Sequence, residues 1–137
     1  MQNNNHTNEE KPQPPRVNIG DKVRLYFKIW MSTREGKGVM GDGKWQILKA
    51  IEQHGSLRSA TQALGLTYRR TWGDLKAIEL ELGFPLIKKT RGGLAGGKSC
   101  LTPQGVKLVK AFDRLHATID SVMERAFQGF YKDLKDI

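Results

Sequence analysis

Apolar and polar residues alternate along VRLYFKIWM (23–31). Val23, Leu25, Phe27, Ile29 and Met31 interleave with Arg24, Tyr26, Lys28 and Trp30. A period of two places successive side chains on opposite faces, so the pattern predicts a strand with one buried face. Arg34-Glu35-Gly36-Lys37-Gly38 then supplies a glycine-bearing turn and Val39-Met40 a short return, completing a β-hairpin. The period next changes. In GKWQILKAIEQHG (43–55), Trp45, Ile47, Leu48 and Ile51 gather on one helical face, with Asp42 as the expected N-cap and Gly55 as the stop. Ser56 is placed to cap a short helix over 57–64 that buries Leu57, Ala60 and Leu64. Gly65 supplies a tight turn, Leu66 packs down, and Thr67 caps a third helix over 68–82.

That third helix carries Thr71, Leu75, Ile78 and Leu82 along one face, with Trp72 widening it, and opens with Tyr68, Arg69 and Arg70. Gly83 ends it. PLIKKT (85–90) reads as a short strand, RGGLAGGK as a loop and SCLT as a returning strand. Thr102 is an N-cap and Pro103 sits at the first helical position, where a missing N–H costs nothing. A long helix follows over roughly 103–134. One stripe on it is Leu108, Phe112, Leu115, Ile119, Val122 and Ala126; an adjacent stripe is Val109, His116, Met123, Phe127 and Phe130. The start, MQNNNHTNEEKPQPPR, has almost nothing to bury, so residues 1–18 are expected to be a disordered polar tail, with order beginning near Ile19. Residues 19–102 would form one domain and 103–137 an appended helix.

One stretch proposes a rival chemistry. Gly92–Ser99 satisfies G-x-x-x-x-G-K-[ST], the phosphate-binding P-loop pattern. A P-loop needs a helix that begins at the Lys-Ser and continues. Here Thr102-Pro103 follows at once, and a proline inside such a helix would remove a hydrogen bond and clash with the preceding turn, costing ~3 kcal/mol or more. No later apolar strand ends in an aspartate that could hold Mg²⁺. The same residues suit a flexible, basic, glycine-rich tip between two short strands, which is a wing. Two short helices about a glycine turn followed by strand–loop–strand describe a winged helix-turn-helix: mainly α with small β (α+β).

Charge sharpens this picture. The 137-residue chain carries 23 Lys/Arg against 14 Asp/Glu, a net of +9, which favours a polyanionic partner. Within 67–98 there are 7 Lys/Arg against 3 Asp/Glu, a net of +4. The helix opening at Tyr68, Arg69 and Arg70 would enter a DNA major groove N-terminus first, where arginine bonds guanine and tyrosine meets a thymine methyl or a phosphate. Ser56 suits a phosphate as well as a cap. Arg58, Thr67, Lys76, Lys88, Lys89, Arg91 and Lys98 complete the candidate contact set. Each has a plainer reading: solvated helix charges for Arg69 and Arg70, edge-strand protection for Lys88 and Lys89, core for Trp72, a small buried hydrophobe for Cys100.

Cys100 is the single cysteine, so no internal disulfide is expected and a reducing compartment, the cytoplasm, is the expected location. No secretory signal or membrane-length apolar run is present in the sequence. His6, His54 and His116 have no ligand spacing, so no metal and no cofactor are expected. No catalytic constellation stands out, and the protein is not expected to be an enzyme.

The run GKWQILKAIEQHGSLRSATQALGLTYRRTWGDLKAIELELGFPLIKKTRGGLAGGKSCLTPQGVKLVKAF resembles the N-terminal DNA-binding domain of the molybdate-responsive ModE regulators. HGSLRSAT, LTYRRTW and RGGLAGGKSCLTPQG carry the likeness, with VRLYFKIWMSTREGKGVMGDG before them, over roughly 21–130. The LysR regulator head is a more distant likeness, through the helix-turn-helix and the wing exit. The resemblance implies a homodimeric transcription regulator bound to double-stranded DNA. Its contacts would fall on Ser56, Thr67, Tyr68, Arg69, Arg70 and the wing, with dimerisation through the long helix. On that helix the expected dimer residues are Phe112, Leu115, Ile119, Val122, Met123, Ala126, Phe127 and Phe130. ModE regulators also carry C-terminal oxyanion-binding domains, whereas this sequence reaches Ile137 soon after the long helix. Molybdate binding is therefore not expected, and a separate sensor protein is a candidate partner. A protein–protein adapter built on the same fold is the alternative.

Overall fold

A computed structural model describes residues 16–19, 23–90 and 98–135. Its elements in chain order are β1 (Arg16–Ile19), β2 (Val23–Tyr26), β3 (Trp30–Ser32), β4 (Gly38–Gly41), α1 (Asp42–His54), α2 (Leu57–Leu64), α3 (Tyr68–Leu82), β5 (Ile87–Thr90), β6 (Lys98–Leu101) and α4 (Pro103–Lys135). The strands form three antiparallel pairs: β1 with β2, β3 with β4, and β5 with β6. The fold is an α+β winged helix, with the tip of the wing outside the described residues.

The core sits where α1, α2 and α3 meet, closed by the start of the wing and the first half of α4. Leu48, Ile51, Leu57, Leu75 and Leu86 are fully buried there, and Val109 and Phe112 of α4 pack against them. Truncating a side chain such as Leu48 to alanine would cost roughly 2–5 kcal/mol, because the close-packed helices collapse only partly into the space left. At the turn between α2 and α3, Gly65 takes φ 65°, a left-handed conformation that β-carbon-bearing residues resist. That conformation lets the Leu66 N–H reach back to the Thr61 carbonyl at 2.8 Å and redirects the chain into α3.

Several expectations need correction. The single strand expected over 23–31 is two strands separated by Phe27–Ile29. Over that break the chain docks on the head of α1: the Ile29 N–H donates to the Asp42 carboxylate at 3.3 Å, and the Asp42 N–H donates to the Ile29 carbonyl at 3.2 Å. Strand β1 pairs Arg16 with Tyr26 and Ile19 with Val23, so strand structure begins at Arg16, inside the stretch expected to be tail; residues 1–15 lie outside the described residues. Asp42 is the first residue of α1 rather than its cap; Gly41 occupies the cap position and offers no side chain. Phe112, expected at a dimer seam, is buried in this chain's own core, its ring 5.3 Å from that of Trp45.

Candidate nucleic-acid interface

The helix-turn-helix comprises α2, Gly65 and α3. Ser56 caps α2: its hydroxyl accepts the Ser59 N–H at 3.1 Å and donates to the Ser59 hydroxyl at 2.9 Å. It is 6 % exposed, so its hydroxyl is committed to the cap rather than turned outward. Thr67 holds the cap position of α3 but makes no side-chain capping bond; its carbonyl instead accepts from the N–H and hydroxyl of Thr71 at 3.1 and 2.9 Å. The Thr67 side chain is exposed.

Arg69 and Arg70 are exposed in the first turn of α3. The Arg58 guanidinium of α2 lies 4.9 Å from the centroid of the half-buried Tyr68 ring, a cation–π contact that fixes the first residue of α3 against α2. Lys76 is more committed: its amine is 3.0 Å from Glu79 and 5.4 Å from the Trp72 ring. Trp72 itself is 38 % exposed and stays outside the core, contrary to expectation.

The wing is fastened to this unit at its base. The Glu79 carboxylate of α3 accepts the backbone N–H groups of Leu86 (2.8 Å) and Ile87 (3.1 Å), where β5 begins. At the far end of β6, the Thr102 hydroxyl donates to the Pro85 carbonyl at 2.6 Å and accepts the Gly105 N–H at 3.0 Å, capping α4. The Thr102 N–H donates to the Leu86 carbonyl at 2.8 Å. A side chain at Gly105 would put its first carbon 2.5 Å from the Leu86 carbonyl oxygen, so only glycine fits this clasp.

Lys88 pairs with Cys100 and Thr90 with Lys98. Cross-strand partners, and residues two apart, share a face. Lys88 and Lys98, both exposed, therefore lie on the face that carries Cys100. The Cys100 thiol reaches the Gly55 carbonyl at 3.1 Å, beside the head of α2, and is half-buried rather than buried as expected. Lys89 lies on the other face and is also exposed; Arg91 lies outside the described residues. The geometry thus gathers Arg58, Tyr68, Arg69 and Arg70 at the start of α3 and leaves two lysines on one wing face. It commits Ser56 and Lys76 to internal bonds.

Sequence reasoning missed the residues that hold this arrangement in place. Glu79 bonds to backbone seven and eight residues on, which leaves no spacing signal. His116, 3 % exposed, sits between the Asp42 carboxylate (3.1 Å) and the Asp120 carboxylate (3.2 Å) and stacks on Trp45 at 4.7 Å. Trp45 in turn donates its indole N–H to Asp113 at 2.7 Å. These bonds tie α4 to the head of α1. Among the described residues no group of His, Cys, Asp and Glu is placed to hold a metal ion, and no helix is long and apolar enough to cross a membrane.

A helix-turn-helix followed by a two-stranded wing and a long helix defines a winged helix-turn-helix domain. Residues 43–106 match the model of the bacterial regulatory helix-turn-helix protein, lysR family. The chain is also homologous to ModE and Mop proteins. It is 33% identical over 84 residues to the molybdenum-pterin-binding protein MopB of Rhodobacter capsulatus, covering 61% of this chain and 31% of that protein. It is 28% identical over 103 residues to the molybdenum transport protein ModE of Azotobacter vinelandii (75% and 38%). It is 32% identical over 73 residues to the transcriptional regulator ModE of Haemophilus influenzae (53% and 29%). The chain spans about a third of the length of the curated relatives it matches.

Proposed function

We propose that this protein is a DNA-binding transcription regulator that reads a specific double-stranded sequence as a homodimer. The observation that carries the reading is the opening turn of α3, where Arg69 and Arg70 are exposed next to a half-buried Tyr68, together with the exposed lysines of the wing strands. The helix-turn-helix and ModE likenesses support DNA as the partner. In this reading α3 enters the major groove and the wing lies on the backbone or in the minor groove. The half-exposed apolar residues beyond His116 on α4 form the seam between two copies. Paired recognition helices would then meet a pseudo-palindrome about one turn, ~34 Å, apart.

The test is selection from a random duplex library with the wild-type chain. Enrichment of a two-fold symmetric motif is the expected result. Arg69→Ala and Arg70→Ala should each weaken binding to that motif by ~1–3 kcal/mol where the arginine reads a base. Wild-type affinity in both variants would remove α3 from the groove.

One observation favours the adapter reading. Trp30 is 70 % exposed, and its strand partner Gly41 borders an open cleft of roughly 520 Å³ lined by Ile47, Leu64 and Leu66. An absence of any enriched duplex would turn attention to this surface.

A further inference from the structure

Helix α3 carries three acids, Asp74, Glu79 and Glu81, on an element assigned to a polyanion. Each is paired with a lysine. Lys44 lies 2.7 Å from Asp74, Lys37 lies 2.8 Å from Glu81, and Lys76 lies 3.0 Å from Glu79. Two of these lysines come from outside the helix-turn-helix: Lys37 from the turn between β3 and β4, Lys44 from the first turn of α1.

Their targets share a flank with Arg70. Residues 70, 74 and 81 are spaced i, i+4 and i+11, which places them along one side of a helix. An aspartate one turn beyond an arginine is the arginine's nearest ion-pair partner. Yet Asp74 bonds to Lys44, and Arg70 is exposed with no side-chain partner among the described residues. The placement of Lys44 has no local advantage. A cation in the first turn of a helix faces the positive end of the helix dipole, and its pair with Asp74 is open to solvent, at 35% and 37% side-chain exposure, where such bridges add little stability.

We infer that Lys44 is a positioning residue for DNA binding: it holds the Asp74 carboxylate off Arg70, so that the guanidinium stays free for the duplex. The head of α1 thereby acts on α3 without touching DNA. This rests on the DNA-binding reading above.

The experiment measures affinity for the duplex enriched from the random library, at fixed ionic strength, with thermal unfolding in parallel. Lys44→Met should weaken binding roughly fivefold or more, the scale of one lost arginine contact, with little change in the unfolding midpoint. Asp74→Asn alone should bind as tightly as wild type or more tightly, and Lys44→Met with Asp74→Asn should recover wild-type affinity. In an Arg70→Ala background, Lys44→Met should have no further effect. Failure of the double variant to recover would show Lys44 contacting DNA directly and overturn the inference, as would weaker binding by Asp74→Asn or wild-type affinity in Lys44→Met. A wild-type chain that binds no duplex would overturn the DNA reading itself, and this inference with it.

Discussion

Glu79 stands at the point where α3, the turn after it and the wing meet. Burial is the largest single influence on its carboxyl and raises the pKa. The N–H bonds from Ile87 and Leu86 and the Lys76 ammonium together outweigh it, leaving the group below its ordinary 4.5. Its folded pKa is therefore lower than its unfolded one. The stability it contributes is complete above the unfolded value and is lost as pH falls through the folded value. Acidification below 4.5 should loosen the base of the wing, read as faster amide exchange at Leu86 and Ile87. Glu79→Gln should flatten that dependence. Glu79→Ala strands two N–H groups and should cost ~1–3 kcal/mol for each at neutral pH, measured by urea unfolding. An alanine variant of unchanged stability and exchange would mean that the wing base is held by the Thr102 clasp alone.

Among the elements, α4 divides most sharply. Over Val109, Phe112 and His116 it belongs to the core; beyond them it turns an apolar stripe outward, with Val122 52 % and Phe130 55 % exposed. Leu115, Ile119, Val122, Ala126 and Phe130 recur at spacings of three and four, the pattern of a helix–helix seam. Val122→Glu with Phe130→Glu should yield a monomer by light scattering while leaving the helical circular dichroism near that of the wild type. A dimer that survives both changes would place the seam elsewhere. The helices were legible because each combines an apolar face with a glycine or proline boundary: α2 and α3 begin and end where Ser56, Gly65, Thr67 and Gly83 predict. The division of α4 was not legible, because Phe112 and Phe130 look alike until Trp45 claims one of them. The break at Phe27–Ile29 was equally hidden. Period-two alternation continues straight through it, and only the distant Asp42 shows why the strand ends. His116 looked isolated for the same reason, since its Asp42 partner is 74 positions away.

At the scale of the whole molecule, a surplus of 23 basic over 14 acidic residues gives long-range attraction to a polyanion but no sequence preference. The candidate site separates those contributions. Lys88 and Lys98 on the wing face should act on phosphates. Alanine at either should weaken all duplexes alike and reduce the slope of log affinity against log salt by about one. A loss confined to the enriched motif would make that lysine a base reader instead.

The clasp at Thr102 and Gly105 has a further consequence. It joins the wing base to α4 within one helical turn, with no loop between them. A helix of 33 residues is about 50 Å long and does not stretch. In a dimer built on its distal half, the gap between half-sites is therefore gauged by the register of α4 and not by a flexible tether. Seven residues inserted between His116 and the seam would lengthen the gauge by about 10 Å and rotate the far end by only ~20°. Two insertions of one and seven residues should then retune operator spacing differently, the first by twisting the two heads and the second by parting them.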